Sequence, residues 1–250
     1  MTEAAASRCL VFDPPLLRGT LIRRYARFLA DVRLDDGRAA TAHCPNSGSM
    51  LSVNAPGSEV WLSPVDKPGR KLAFTWELIR VGEALVGINT NRPNALVADA
   101  IGAGAIAELV GYESCRREVR YGRNSRIDIL LEAADRSRCL VEVKNVTLKR
   151  GGPSASLAEF PDAVTERGRK HLNELATCVG EGCRSVMLFL VQRGDCEAVA
   201  IASDIDPAYA DALRKASAAG VEILCYGCEV TARSIRVDRR LAVRLPGGTG

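Results

Sequence analysis

The stretch Cys139-Leu140-Val141-Glu142-Val143-Lys144-Asn145-Val146 is an apolar run carrying two opposite charges two positions apart. Side chains alternate across a β-strand, so Glu142 and Lys144 share one face while Val141 and Val143 share the other. Fourteen residues earlier, Asp128 interrupts a second apolar run, Ile127-Asp128-Ile129-Leu130-Leu131. If the two strands are neighbours, Asp128, Glu142 and Lys144 converge at one sheet edge. Two carboxylates held close together need a counter-charge, and a divalent cation bound through oxygen supplies it. Mg²⁺, or Mn²⁺ in its place, is the expected cofactor. Such a centre allows phosphodiester hydrolysis, with Asp128 and Glu142 as metal ligands and Lys144 orienting water or offsetting charge on the phosphate. An acid ahead of the sheet would complete the ligand set. Glu108 and Glu118 are the choices, and Glu108 is preferred because it ends the helix expected before the sheet. Spacing alone equally allows a surface ion pair between Glu142 and Lys144 beside an unrelated Asp128, since Glu-x-Lys is common in a chain with 16 Glu and 6 Lys.

Outward from this strand, the periodicity predicts a helix over residues 95–110 and extended segments over 114–121 and 127–132. A Gly- and Ser-rich excursion covers 149–159. A helix over 163–179, a strand over 185–192, a helix over 207–219, a strand over 221–226 and a basic tail follow. The helix, strand, Asp-bearing strand, Glu-x-Lys strand, helix order resembles the PD-(D/E)xK nuclease superfamily, with Ile127 in place of the Pro often found before the Asp. The first third differs in texture. Short apolar or alternating runs at 19–34, 39–43, 59–63, 71–81 and 85–89 are separated by Asp35-Asp36-Gly37, Pro45-Asn46-Ser47-Gly48, Ala55-Pro56-Gly57 and Lys67-Pro68-Gly69. This strand count and spacing suit a small OB-like barrel. The predicted fold class is therefore α/β, α+β overall: a small N-terminal OB-like β-barrel over residues 1–84, followed by a restriction-endonuclease-like α/β domain over 85–250 that ends in the basic tail.

The chain's 250 residues, 47% hydrophobic and 26% charged, have ordinary globular composition. Charges interrupt every apolar run before it reaches membrane-spanning length, and the N-terminus lacks a signal-peptide pattern, so a cytoplasmic protein without a membrane partner is expected. Nine scattered cysteines, an odd number, suit a reducing compartment better than a disulfide framework.

The net charge of +4 is mild, but 28 of the 34 basic residues are Arg, whose planar fork suits phosphate. They concentrate at residues 18–27, 116–126 and 233–244, the footprint of a nucleic-acid binder, and DNA is the expected partner. Arg23, Arg24, Tyr25 and Arg27 on the barrel, Arg126 on the Asp128 strand, and Arg167, Lys170 and His171 on the helix after the Glu-x-Lys strand are the candidate DNA contacts. On that helix Glu166 and Lys170 stand i to i+4, as do Arg167 and His171. A solvated salt bridge between Glu166 and Lys170 competes with the phosphate-binding role.

Five blocks together resemble the sugar fermentation stimulation protein A (SfsA) family: Gly19-Thr20-Leu21-Ile22-Arg23-Arg24-Tyr25, Thr41-Ala42-His43-Cys44-Pro45-Asn46-Ser47-Gly48-Ser49-Met50, Ser125-Arg126-Ile127-Asp128, Glu142-Val143-Lys144-Asn145-Val146-Thr147-Leu148, and Phe160-Pro161-Asp162 through His171. Ser47 stands where that pattern carries Thr. The resemblance implies an OB-like domain, a nuclease-like domain with Asp128, Glu142 and Lys144 at its site, and DNA binding with little sequence preference. It leaves two functions open: a Mg²⁺-dependent nuclease, or a non-catalytic DNA-binding regulator of sugar (maltose-type) metabolism on the same fold.

Three other signals are set aside. Gly102-Ala103-Gly104 lies in a helical segment rather than after a strand, Cys225 and Cys228 lack a second pair at zinc spacing, and His43 and Cys44 are adjacent in a strand and so face opposite ways.

Overall fold

In the computed structural model, residues 9–66, 68–121, 125–152 and 154–245 are described. A short strand β1 (Leu10–Val11) precedes the barrel strands β2 (Leu17–Tyr25), β3 (Leu29–Leu34), β4 (Ala39–His43), β5 (Glu59–Pro64), β6 (Phe74–Val81) and β7 (Ala84–Gly87). Antiparallel pairs run β4-β3-β2-β5-β6-β7, and a parallel β4–β6 pairing closes the first five into a barrel. Leu21, Ala30, Val32, Leu62, Trp76 and Ile79 fill its interior. Ordinary period-2 patterning produces this: Ala30, Val32 and Leu34 point inward while Asp31 and Arg33 point away. The segment 19–34, read from sequence as one run, is a hairpin turning at Ala26 and Arg27. A boundary after residue 84 falls inside β7, whose pairing with β6 keeps all of Ala84–Gly87 with the barrel.

The second part contains α1 (Pro93–Gly102), β8 (Ser114–Tyr121), β9 (Ser125–Ala133), β10 (Arg136–Val146), β11 (Leu148–Lys149), β12 (Leu157–Phe160), α2 (Glu166–Gly180), β13 (Arg184–Val191), β14 (Ala198–Ile201), α3 (Pro207–Ala218), β15 (Glu222–Val230), β16 (Ser234–Arg240) and β17 (Ala242–Arg244). The main sheet is ordered β1-β16-β15-β13-β10-β9-β8, with β11-β12-β14-β17 beside it. β13 is central and parallel to both neighbours, and its residues 185–191 are buried on both faces.

One sheet face packs under α1 together with the barrel residues Trp61 and Leu78, so the two parts share a core. The other face carries α2 and α3. Thr165 caps α2 by accepting from the Gly168 N–H at 3.1 Å, and Asp206 caps α3 while also accepting from the Thr165 N–H at 2.8 Å. Gly168 lets the helices close: a Cβ there would meet Tyr209 at 3.0 Å and Thr165 at 2.9 Å.

Two sequence expectations are corrected. The helix of 95–110 ends at Gly102, where Gly104 adopts a left-handed φ of 71°, and only the 3₁₀ turn Ala107–Leu109 follows. The basic tail is in fact β16 and β17; Ile235 and Val237 alternate into the core beneath an Arg-rich outer face. No helix among the described residues is long and apolar enough to cross a membrane.

Candidate active site

Asp128 sits on β9, one strand in from the sheet edge, flanked by carboxylates on both neighbouring strands. Beyond the Val141–Ile129 pair, the antiparallel register places Glu142 of β10 opposite Asp128. On the other side, the register bracketed by Arg117–Ile129 and Val119–Ile127 places Glu118 of β8 opposite it. Like charges facing each other across strands are destabilising, so this row requires counter-charge.

The protein supplies part of it. Glu142 is 2% exposed, and its Oε1 accepts from Lys144 Nζ at 2.6 Å and contacts His171 Nδ1. Arg167 donates from Nε to His171 Nε2 at 3.4 Å. With Nε2 accepting, the ring proton belongs on Nδ1, pointing at Glu142. Burial works against ionising Glu142, but the His171 and Lys144 contacts outweigh it and hold its carboxyl below the usual range.

Asp128 receives less help. Its Oδ2 accepts from the Val143 N–H and its Oδ1 from Asn94 Nδ2, each at 2.8 Å. Burial first, and the Glu142 charge second, push it up to about 6. Glu142 Oε2 meanwhile is buried with no hydrogen-bond partner. An ionised, buried and unsatisfied carboxylate oxygen beside a second strained carboxylate is the donor set a hard divalent cation fits. No third Asp, Glu, His or Cys completes a metal-ligating group among the described residues. Mg²⁺ commonly takes one or two carboxylates and fills its shell with water and substrate phosphate, so two suffice.

These groups line a cleft of about 390 Å³ between the two halves of the molecule. Its walls include Asn46, Ser47 and Gly48 from the barrel, Thr90, Pro93 and Asn94 from the connection into α1, and Arg167 and His171 from α2. Asp162 fixes the barrel side: its Oδ2 accepts from the buried Met50 N–H at 2.8 Å and its carbonyl accepts from Ser49 Oγ at 2.5 Å. Gly48 allows the approach, since a Cβ there would lie 3.0 Å from Asp162 Oδ2. Asp162→Ala should therefore cost about 1–3 kcal/mol in denaturant unfolding by stranding the Met50 donor; wild-type stability would show that the loop is held by other means. A larger cleft of about 710 Å³ lies across the 89–92 connection, but its buried acid, Glu77, already accepts from Ser63, Asn89 and Arg92.

The remaining sequence candidates divide. Arg126, on β9, stands opposite Arg120 in the β8–β9 register; both are exposed and neither has an acid partner among the described residues. Arg123, in the same basic cluster, lies outside them. Glu108 does not reach the carboxylate row: it accepts from Tyr226 Oη at 2.5 Å and pairs with Arg240 at 2.9 Å. Glu118 is the acid brought to Asp128, through Asn94, which donates to both at 2.8 Å. Arg24 is structural, one Nη2 serving the carbonyls of Arg27, Asn46 and Gly48 at 2.9 Å each. Arg23 pairs with Asp31 and covers the Tyr25 ring 4.6 Å from its centroid, so that ring face is occupied. Lys170 pairs with Glu174 at 3.6 Å rather than with Glu166. Asn94 and Asp162, not identified from sequence, carried only the signals of a helix start and of a motif block.

Comparison with known proteins agrees with this architecture. The model of the SfsA N-terminal OB domain matches residues 22–88, and that of the sugar fermentation stimulation protein RE domain matches residues 91–234. The chain belongs to the SfsA family. A sugar fermentation stimulation protein homolog of Rhodospirillum rubrum is 59% identical over 245 residues, covering 95% of this chain and all of that SfsA relative. The Geobacter sulfurreducens homolog is 58% identical over 234 residues, covering 94% and 98%. Among solved SfsA structures, that of Pyrococcus furiosus SfsA in complex with Ca²⁺ superposes with a TM-score of 0.83 at 27% identity, covering 95% of this chain and 99% of the other.

Proposed function

We propose that this SfsA protein is a divalent-metal-dependent phosphodiesterase acting on DNA with little sequence preference. The observation that carries this reading is the unsatisfied, buried Glu142 Oε2 beside Asp128, with Lys144 on the same carboxylate. Asp128 and Glu142 would hold the cation, and the Ca²⁺ complex of the Pyrococcus relative supports a divalent ion in this family. When bound, the ion supplies a Lewis acid for the phosphate and a more acidic water.

The chain's own residues do the rest. Lys144 donates to Glu142 at 2.6 Å and so places a held positive charge at the cleft. Preorganised charge of this kind favours a phosphate as negative charge builds on it. Arg167 adds a second cation at the cleft wall and, through His171, keeps Glu142 oriented. Arg120 and Arg126, facing each other without acids, are placed for the phosphates of a bound strand.

The test is incubation of linear, nicked and single-stranded DNA with wild type and Asp128→Ala, in Mg²⁺, Mn²⁺ or EDTA. Cleavage that requires metal and vanishes in the variant is expected; intact DNA under every condition would contradict the proposal. The second reading, a DNA-binding regulator of sugar metabolism without catalysis, is favoured by the family's name and by the same Arg-rich surfaces. It predicts salt-sensitive binding that survives Asp128→Ala with no cleavage. Arg120→Ala with Arg126→Ala should weaken DNA binding and reduce the slope of affinity against salt by up to about two charges; an unchanged slope would place the strand elsewhere.

A further inference from the structure

We infer that the cleft takes unpaired DNA, a strand end or a melted junction, and that Phe28 stacks on a base next to the phosphate lodged there. This rests on reading the cleft as a DNA phosphodiesterase site and adds the form of its substrate.

The β2–β3 hairpin turns through Ala26 and Arg27, with φ of 47° and 62°. Both lie in the left-handed region, which side chains with a Cβ disfavour and which hairpin tips ordinarily fill with Asn and Gly. Strain of this kind persists where the surroundings over-determine it. Here the surroundings are Arg24, whose Nη2 binds the Arg27 carbonyl and, from the same nitrogen, those of Asn46 and Gly48. The hairpin tip is thereby bolted to the loop that forms the barrel side of the cleft.

This turn leaves Arg27 exposed without an acid partner among the described residues and Phe28 47% exposed. Phe28 is anchored by its backbone, its carbonyl accepting from the Cys44 N–H at 2.7 Å. Seven large hydrophobic side chains are exposed among the described residues, and three of them lie on or beside the segments that Arg24 and Asp162 tie to the barrel wall of the cleft. Phe28 is on the hairpin, Leu51 follows the Asn46–Met50 loop, and Val164 follows Asp162, which clasps that loop. Exposed apolar side chains, an aromatic ring and an unpaired guanidinium on segments tied to the wall of a cleft floored by carboxylates and Lys144 fit a ligand that presents bases as well as phosphates.

Unpaired nucleotides meet that description, because every base has a π-face to offer an aromatic ring. Paired bases in a duplex keep their faces stacked on one another. The cleft geometry points the same way. The barrel loop that walls the cleft beside Asp128 and Glu142 is tied down by Asp162, and a single strand needs less clearance next to it than a duplex does.

The experiment is fluorescence anisotropy of the full-length protein in Ca²⁺ with a labelled single strand, the same sequence as a blunt duplex, and the duplex with a central unpaired bubble. The single strand and the bubble should bind more tightly than the blunt duplex. Phe28→Ala should weaken binding to both about tenfold or more while leaving the blunt duplex unaffected. Phe28→Trp should restore binding, and its added indole emission should be quenched by the single strand. Equal affinity of Phe28→Ala and wild type for the single strand, or tighter binding of the blunt duplex, would overturn the inference while leaving metal-dependent cleavage standing. Binding of no DNA form would overturn it together with the phosphodiesterase reading.

Discussion

Glu142→Gln should reduce metal-dependent DNA cleavage by about 10²–10³-fold, the loss typical of removing one preorganised charge-stabilising group. The variant keeps the shape of the side chain and an oxygen for Lys144 and His171, so its fold should persist while the ionised Oε2 is gone. Asp128→Asn should be as damaging to cleavage and should also change how the metal-free fold responds to pH. The folded Asp128 carboxyl lies at about 6, raised by burial and then by Glu142, above the value of about 4 expected for an unfolded chain. The folded state therefore binds the extra proton, and metal-free stability should fall as pH rises from about 4 through 6, by about 2–3 kcal/mol. Asn at 128 removes that loss at the expense of one of the two accepted hydrogen bonds, so in EDTA the variant's melting temperature should no longer fall between pH 4 and 7.5 as that of wild type does. The same fall in both proteins would mean that Asp128 does not carry the pH dependence. Wild-type cleavage by either variant would remove these carboxylates from the chemistry.

The second large effect is on stability. Glu77, 1% exposed, accepts from Arg92 through both oxygens at 2.7 and 3.1 Å, from Asn89 at 2.9 Å and from Ser63 at 2.9 Å. It thus ties β6 of the barrel to the connection that leads, two residues beyond Arg92, to Asn94 and so to Asp128. Breaking a fully buried ion pair by removing one partner typically costs about 3–5 kcal/mol, and here the cost sits at or below the lower end because Arg92 is 34% exposed and can turn to water while Asn89 stays buried. Glu77→Ala should lose about 2–3 kcal/mol in urea unfolding, and cleavage should fall with it as Asn94 loses its placement. A loss under 1 kcal/mol would mean that water replaces the carboxylate and that the connection is held by the shared core of Trp61, Leu78, Leu96 and Val97 instead.

What could be read from sequence follows physical range. Strands bounded by turn residues, such as β4 and β5, and the apolar β10 and β13 were legible because apolar runs and the breaks between them are local signals. So was the grouping of Asp128, Glu142 and Lys144, since their common face needs only the neighbouring of two strands. The Ala26-Arg27 turn was not, because it lacks the residues that left-handed turns usually demand and is held by Arg24 from outside. β16 was hidden by the Arg and Asp residues of its exposed face, which mask the buried Ile235 and Val237. The acid beside Asp128 was misassigned for a related reason. Glu108 was placed by extending a helix that stops at Gly102, whereas Glu118 reaches Asp128 through strand register and the Asn94 amide, neither of which leaves a mark in local sequence. Arg24 shows the same limit, its guanidinium being consumed by carbonyls 22 and 24 positions away.

The most direct measurement is calorimetric titration of Mn²⁺ into metal-free wild type, Asp128→Asn and Glu142→Gln at pH 7.5. A saturable site in the wild type that is lost in both variants, each still folded by circular dichroism, is the expected result. Absence of binding to wild type, or variants that bind the ion as tightly as wild type does, would contradict a metal centre at Asp128 and Glu142.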